Sequence, residues 1–160
     1  MPQQCWALTL TWTNNHTQAF IVTEEKSSRI GRIIELPRIT DPRGNLTVAE
    51  QMKEVPFEIK RVYWTYDVPG GESRGGHAHK RLYQLIVAMS GSFIVNLDNG
   101  HSKESYLLNH PWQGLLIGPG TWRTLDDFSS GAVCMVLASE HFDIDDYIYD
   151  YDQFKAIYGK

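Results

Sequence analysis

Short runs of β-branched and aromatic residues, separated by glycine, proline and asparagine, limit most strongly how this chain can fold. Such side chains favour extended strands because they pack well on a pleated surface, whereas the intervening residues favour turns. The fairly regular turn residues Gly91, Gly100, Pro111 and Gly120 predict an antiparallel sheet that meanders and rolls up. The chain is therefore predicted to form an all-β sandwich or barrel. Its eight predicted strands are 32–36, 46–50, 59–68, 85–89, 93–97, 105–108, 115–117 and 133–138.

Two local patterns refine this prediction. The pair Asn99-Gly100 is typical of a type I′ turn and should join strands 93–97 and 105–108 as a hairpin. Apolar residues recur at helical spacing after Asp150 and predict a short C-terminal helix. The residues on its apolar face would be Tyr151, Phe154, Ile157 and Tyr158.

Length, charge and cysteine content exclude several classes of protein. A chain of 160 residues suits one domain, and its net charge of -4 argues against nucleic acid as the main partner, because phosphate-binding surfaces need an excess of Lys and Arg. No segment approaches the ~18 apolar residues that span a bilayer, and the N-terminus lacks the basic start of a secretion signal. We therefore expect a cytoplasmic protein with no membrane partner. Cys5 and Cys134 are far apart, which indicates reduced thiols.

The segment from Gly71 to Gly91 resembles the first cupin motif, in which a glycine is followed by five residues, an H-x-H pair, a glutamate and a second glycine. His77 and His79 fit that spacing. The position of the glutamate holds Gln84, and a neutral amide binds a cation poorly. The resemblance implies a cupin-like antiparallel β-barrel, or jelly roll.

The second cupin motif, which places a third histidine a few residues beyond a P-x-G turn, is also incomplete. Its matching turn at 118–120 is followed by no histidine but by Arg123, which would repel a cation. Two imidazoles alone leave a divalent ion short of the three or four protein ligands of a stable site. We therefore expect a metal-free barrel, formed by a single cupin domain over 29–160, with 1–28 as an N-terminal extension or an extra edge strand.

Histidines that bind no metal are available for proton transfer. Side chains at positions i and i+2 of a strand point to the same face, so His77 and His79 should project together. A histidine pKa of about 6.5 suits acid/base chemistry at neutral pH, and the alternative is a core pair satisfied by backbone carbonyls. Arg74, Lys80 and Arg81 concentrate positive charge here, which suits a small anionic ligand. Lys80 and Arg81 fit solvated strand ends equally well.

Three segments together resemble the sugar 3,4-ketoisomerase family, the cupins that act on dTDP-4-keto-6-deoxyglucose. They are 61–91, with its R-G-x-H-A-H-K string, the upstream segment 36–46 and the downstream segment 146–154. The resemblance spans about residues 29–156. It implies a homodimer of β-barrels, each binding a dTDP-linked 4-keto-6-deoxy sugar in its mouth, with no metal and no organic cofactor.

The implied reaction moves the carbonyl from C4 to C3 through an enediol and yields a 3-keto sugar ready for transamination in deoxyamino-sugar biosynthesis. By this resemblance His77 handles the carbon-bound proton and His79 moves a proton between the two oxygens, with the opposite division open. Tyr63 is either a donor to the developing oxyanion or a barrel-wall aromatic. By the same resemblance Arg74 binds the diphosphate, with Lys80 and Arg123 as further candidates, and Gln84 also lies at the substrate. Trp122 either stacks on the base or is plain core. The Arg43-Gly44 pair is similar to that of family members that form the galacto product.

Three other functions fit parts of the pattern. A nucleotide-sugar 3,5-epimerase is a related cupin, but its base is a histidine paired with a distant aspartate, and the sequence shows no sign of such a pair. A non-catalytic sugar-binding cupin would need the basic residues but not both imidazoles. A metal-dependent dioxygenase is disfavoured by Gln84 and by the missing third histidine.

Overall fold

The computed structural model describes residues 29–160, which form two five-stranded antiparallel sheets, a two-stranded hairpin and one short α-helix. This architecture confirms the predicted all-β, cupin-like fold. The extension or edge strand predicted for 1–28 lies outside the described residues. The strands are β1 (Gly31–Glu35), β2 (Arg38–Asp41), β3 (Gly44–Thr47), β4 (Arg61–Thr65), β5 (Arg74–His79), β6 (Gln84–Ser90), β7 (Phe93–Asp98), β8 (Lys103–Leu108), β9 (Gln113–Ile117), β10 (Trp122–Asp126), β11 (Val133–Ala138) and β12 (Tyr147–Ile148).

The strand order differs from a meander. The first sheet has the order β1-β9-β6-β11-β4 and the second has the order β12-β5-β10-β7-β8. From β4 onward the chain alternates between the two sheets, except at β7 and β8, which pair as a hairpin. The predicted meander is therefore wrong. Crossing from sheet to sheet lets the apolar strands of both sheets turn one face toward a common interior.

A continuous apolar core fills the space between the sheets. On β7, alternate side chains point inward, so that Phe93, Val95 and Leu97 are all buried. Burial of each such side chain stabilises the fold by about 1.5–3 kcal/mol. The other buried members are Ile86, Ala88, Tyr106, Leu108, Leu115, Ile117, Leu125, Cys134 and Val136.

All eight predicted strands have a counterpart in the structure, with ends shifted by a few residues. The strands that the sequence did not predict are β2, β5, β10 and β12. Local composition explains two of these omissions, because β5 contains Gly75-Gly76 and β10 reads Trp-Arg-Thr-Leu-Asp, with few β-branched residues. Both are held by ladder pairing with their neighbours in the second sheet.

The β7-β8 hairpin is present, but its predicted type I′ turn is wrong. Four residues, 99–102, connect the two strands. The Asn99 side-chain oxygen accepts hydrogen bonds from the backbone N–H groups of His101 and Ser102. A type I′ turn needs a positive φ at both central residues. Gly100 has a φ of 95°, but the φ of Asn99 is not positive. The asparagine side chain thus stabilises a longer loop than the dipeptide predicts.

The segment after β11 is folded back onto the second sheet. It forms a short 3-10 helix (Ile144–Asp146), then β12, then the helix α1 (Tyr151–Tyr158), which confirms the predicted C-terminal helix. Asp150 caps α1 by accepting a hydrogen bond from the backbone N–H of Gln153 at 2.8 Å. Within 29–160, neither helix is long and apolar enough to cross a membrane.

Candidate active site

The two histidines of β5 lie on one face of the strand, toward the space between the sheets. The ring centroids of His77 and His79 are 4.9 Å apart in an edge-to-face arrangement. Tyr147, the first residue of β12, contacts both rings, with centroid separations of 5.0 Å from His77 and 4.3 Å from His79. The same-face prediction is confirmed, and it brings two imidazoles and one phenol ring together.

A buried carboxylate lies behind His79. Asp146 is 3% exposed, and its Oδ2 is 3.0 Å from Nδ1 of His79. Its Oδ1 accepts a hydrogen bond of 2.8 Å from the backbone N–H of Arg81. Because both carboxylate oxygens act as acceptors, we assign the imidazole proton of His79 to Nδ1, which leaves the lone pair on Nε2. That Nε2 is buried and has no hydrogen-bond partner within 29–160.

Both imidazoles are held in their neutral form. Burial, followed by the positive charge of Arg123, lowers the pKa of His77 to about 4. The same two causes lower the pKa of His79 below its ordinary value, and His77 and Arg61 add to the effect. The contact with Asp146 favours the protonated ring and opposes this shift, but His79 is only 1% exposed and faces two guanidinium groups. A neutral imidazole with a free lone pair can accept a proton.

Arg123 enters the same space from β10. Its Cα is paired with that of His77, whereas the next residue, Thr124, is paired with Gly75, so that β5 carries a bulge with Gly76 as the extra residue. Gly75, beside this bulge, has a φ of 84°, and a Cβ there would lie 2.8 Å from the Arg123 carbonyl oxygen. A glycine is therefore needed for the close approach of β5 and β10. In this position the Arg123 side chain is 1% exposed. Burial lowers its pKa to about 10, so the guanidinium stays charged at neutral pH.

A second polar pair completes this end of the barrel. Nε2 of Gln84 donates a hydrogen bond of 2.7 Å to the hydroxyl of Tyr63, while the Gln84 Oε1 is buried without a partner in the described part of the chain. Burial raises the pKa of Tyr63 to about 12, so the phenol stays protonated. Because its oxygen accepts from Gln84, its own proton is free to be donated. The guanidinium of Arg61 lies 5.0 Å from the centre of the Tyr63 ring.

Trp122 does not join this group. It precedes Arg123 on β10 and therefore points to the opposite face of the sheet. There its ring packs on Tyr151 and Phe154 of α1, with centroid separations of 5.1 Å and 5.7 Å. Trp122 therefore packs against α1 on the face away from the histidines, and its role in binding the base stays a prediction.

The basic residues around the histidines have separate positions. Nζ of Lys80 donates to the carbonyl oxygen of Asp145 at 2.7 Å, and Arg81 forms an ion pair of 2.7 Å with Asp143. Both therefore fasten β5 to the segment that carries Asp146, which the sequence did not reveal. Arg74 is exposed at the start of β5.

Arg43 and Gly44 lie on the hairpin of β2 and β3. The Arg43 side chain is 89% exposed and pairs with Asp41 at 2.7 Å. None of its hydrogen bonds within the described chain reaches the histidines. Within this chain, the Arg43-Gly44 pair is thus separate from the group around His77 and His79.

The first cupin motif, which this chain resembles, supplies ligands for a metal ion in its complete form. In the part of the chain from 29 to 160, no three His, Cys, Asp or Glu side chains lie close enough together to hold a metal. At the position of the cupin glutamate, Gln84 turns its amide nitrogen, which is a donor, toward Tyr63. The expectation that the protein uses no metal stays a prediction.

Comparison with known families accounts for this arrangement. A family profile described as "FdtA: WxcM-like, C-terminal" matches residues 30–159, most of the chain. The chain belongs to this FdtA-like family. Its curated relatives include a TDP-4-oxo-6-deoxy-α-D-glucose-3,4-oxoisomerase from Aneurinibacillus thermoaerophilus, 46% identical over 129 residues that cover 81% of this chain and 93% of the relative.

Solved structures of similar proteins agree with the FdtA-like assignment. A 3,4-ketoisomerase from Helicobacter canadensis is 42% identical, with a TM-score of 0.79, and the match covers 81% of this chain and 98% of that one. A histidine-to-asparagine mutant of the 3,4-ketoisomerase QdtA from Thermoanaerobacterium thermosaccharolyticum, in complex with TDP-4-keto-6-deoxyglucose, is 38% identical. Its TM-score is 0.79, with 81% of this chain and 94% of that chain covered.

Sequence reasoning missed three residues of this FdtA-like site. Asp146 is 67 positions from His79, and Tyr147 follows it on a two-residue strand, so neither has a local signal. Arg61 begins β4, and its inward direction follows from alternation with the outward Val62 and Trp64. Only this last residue could have been found from the strand pattern.

Proposed function

We propose that this protein is a nucleotide-sugar 3,4-ketoisomerase that converts dTDP-4-keto-6-deoxyglucose to a dTDP-3-keto-6-deoxyhexose. The observation that carries the proposal is the pair of His79 and Asp146 beside His77, with a buried Nε2 of His79 that has no hydrogen-bond partner among residues 29–160. Exchange of hydrogen between adjacent carbons needs a base and an acid at neighbouring positions. The relatives, a 3,4-oxoisomerase and two 3,4-ketoisomerases by name, support the same reaction.

The reaction redistributes hydrogen within the sugar and needs no other reactant. A base takes the proton from C3, the C–H electron pair becomes the C3–C4 double bond, and the carbonyl electrons move to O4. The hydroxyl proton then passes from O3 to O4. The O3 electrons form a carbonyl at C3, the double-bond electrons take a proton at C4, and the isomer is complete. General acid/base groups contribute typically about 10²- to 10⁴-fold to such transfers.

The structure favours a division of roles opposite to the one first inferred from the sequence. His79 is oriented by Asp146, so its Nε2 has a fixed direction and an available lone pair, as a base for the C3 proton needs. His77 has no such carboxylate partner in the described part of the chain, and it is less deeply buried than His79. We therefore assign the carbon-bound proton to His79 and transfer between the oxygens to His77.

Tyr63 is assigned as a donor to the developing oxyanion. Its hydroxyl accepts from Gln84 and stays protonated, so it can direct its own proton to a substrate oxygen. Gln84 would act through Tyr63 by fixing the direction of the phenol. Arg74, exposed at the start of β5 beside two glycines, is assigned to the diphosphate, with Lys80 as a further candidate.

The homodimer and the galacto product belong to the same proposal. The edge strand β4 exposes Val62 and Trp64 on one face, and an apolar edge of this kind suits burial against a second copy. The galacto assignment depends on the exposed Arg43-Gly44 pair. A cytoplasmic location is also proposed, as is the absence of any metal or organic cofactor from the reaction.

One alternative has gained an observation in its favour. The sequence showed no histidine–aspartate pair, which argued against a 3,5-epimerase, and that argument is wrong because Asp146 pairs with His79. Both reactions begin with proton removal beside the C4 carbonyl, so this pair alone does not separate them. The second imidazole, the half-buried His77, favours the isomerase, because proton transfer between two oxygens requires a further group.

Incubation of the purified protein with dTDP-4-keto-6-deoxyglucose in deuterated water, followed by NMR, tests the proposal. We expect a 3-keto sugar that carries deuterium at C4. An epimerase would leave the carbonyl at C4 and place deuterium at C3 and C5. A non-catalytic binding protein would bind the sugar nucleotide without exchange, and either result would contradict the proposal.

A further inference from the structure

Arg123 is the most unusual side chain of the barrel interior. It is the largest side chain of the described residues that is almost fully buried, at 1% exposure. None of its three guanidinium nitrogens has a hydrogen-bond partner in the described chain. Among the described residues, Asp146 is the carboxylate whose negative charge acts on Arg123, but it already pairs with His79 and with the backbone N–H of Arg81.

A buried cation without a partner opposes folding. Transfer of a charge from water to the protein interior is costly unless hydrogen bonds replace its hydration, and an apolar side chain of similar size would serve the fold better. The core next to Arg123 shows that apolar packing is available, since its β-ladder neighbour Leu97 is buried in it. We infer that a bound ligand, and not a side chain of residues 29–160, supplies the missing partners.

We propose that Arg123 is a catalytic residue that donates hydrogen bonds to the two reacting sugar oxygens, O3 and O4, and does not bind the diphosphate. This inference rests on the proposed function. It replaces the diphosphate role considered for Arg123 on the sequence, because the side chain lies beside the histidines and not at the exposed start of β5, where Arg74 lies.

The shape and charge of the guanidinium suit the intermediate. Removal of the C3 proton leaves negative charge on O4, which is shared with O3 as the proton moves between them. The two oxygens are then attached to adjacent planar carbons, and a planar fork of N–H donors can contact both at once. An interaction that strengthens as this charge develops accelerates the chemical step more than it strengthens binding of the ground state.

The same cation prepares the bases. Arg123 disfavours a positive charge on His77 and on His79, and so keeps both imidazoles able to accept a proton. The groups that face it from the elements packed around it are Tyr63, His77, His79, Asp146 and Tyr147. One buried charge thus serves proton removal and oxyanion stabilisation together.

Two variants, Arg123→Met and Arg123→Lys, test the inference against Arg74→Met as the matched comparison. For Arg123→Met we expect kcat to fall about 10²- to 10³-fold, the range for loss of one oxyanion donor, with TDP affinity within about twofold of wild type. Arg123→Lys keeps the charge without the fork, so kcat should recover only in part. Arg74→Met should weaken TDP binding, measured by calorimetry, which the Arg123 variants should leave near the wild-type value.

Thermal unfolding supplies a readout that a merely structural role would not give. Removal of an unpaired buried charge should leave the Tm of Arg123→Met equal to or above that of wild type. A clearly lower Tm, an unchanged kcat, or a tenfold loss of TDP affinity in Arg123→Met would each overturn the inference. If the wild-type protein forms no 3-keto sugar, the proposed function fails and this inference fails with it. If the wild type is active and Arg123→Met is equally active, the inference alone is refuted.

Discussion

Replacement of Asp146 by asparagine is the most direct test of how the candidate base is prepared. Asp146 accepts two hydrogen bonds, from Nδ1 of His79 at 3.0 Å and from the backbone N–H of Arg81 at 2.8 Å. An asparagine has one acceptor and one donor group. The backbone N–H of Arg81 has no alternative tautomer, so the amide oxygen should face it, because an unpaired buried N–H costs about 1–3 kcal/mol.

The amide nitrogen would then face His79. Two donors cannot share one hydrogen bond, so the imidazole proton should move from Nδ1 to Nε2, and the ring would lose the lone pair that it directs to the substrate. We expect kcat to fall by about 10²- to 10⁴-fold, the range of lost general base catalysis, which corresponds to about 2.7–5.4 kcal/mol in the activation barrier. The shape of the side chain is almost unchanged, so the fold should be retained.

Deuterium incorporation at C4 and formation of the 3-keto product, both followed by NMR, measure this effect. TDP affinity, measured by calorimetry, should stay near the wild-type value because Asp146 is buried behind His79. Asp145→Asn is the matched control, since it removes the same charge from a neighbouring exposed carboxylate. If Asp146→Asn retained kcat within about threefold of wild type, the pair would have no catalytic importance and the assignment of His79 would be refuted.

Three further predictions concern stability, each measured by urea unfolding. The pKa of His77 is about 4 in the folded protein and higher in the unfolded chain, so the unfolded chain binds the proton first as pH falls. Acidification from about pH 7 to 5 should therefore lower the free energy of unfolding of wild type by about 1–2 kcal/mol more than that of His77→Gln. Equal losses in the two proteins would contradict this. Gly100→Ala places a Cβ against the carbonyl of Tyr158 at a φ of 95° and should lower the free energy of unfolding by about 2–4 kcal/mol. Gly131→Ala should cost less, because Gly131 has a φ of 70° but open space where the Cβ would lie. Gln84→Leu should cost about 1–3 kcal/mol by leaving the Tyr63 hydroxyl unpaired, and the cost should shrink when Tyr63→Phe is added.

The sequence predicted most of the strands but not how they are connected. Alternation of apolar residues is a local property, and on β7 it correctly indicates which side chains point inward. The strand order depends on which of two sheets each strand joins, and this is decided by burial of the whole core rather than by any one turn. At 99–102 the asparagine side chain changed the loop length, which a dipeptide rule does not anticipate.

In the candidate site, too, local features were predictable from the sequence and long-range contacts were not. The spacing of His77 and His79 sufficed to place both rings on one face. Trp122 and Arg123 were treated alike because β10 was not recognised as a strand; strand parity alone would have assigned them to opposite faces. Asp146 could not be found, because a contact over 67 positions has no local pattern.

The barrel interior is divided along its length, with hydrocarbon around Phe93 and Leu108 and ionisable groups around His79 and Arg123. Natural variants at the hydrocarbon end should alter how many molecules reach the native state in a cell, and therefore enzyme abundance. Variants at the ionisable end should alter what each folded molecule does. A lineage could therefore acquire a new sugar preference there, while changes at the other end compensate for any lost abundance.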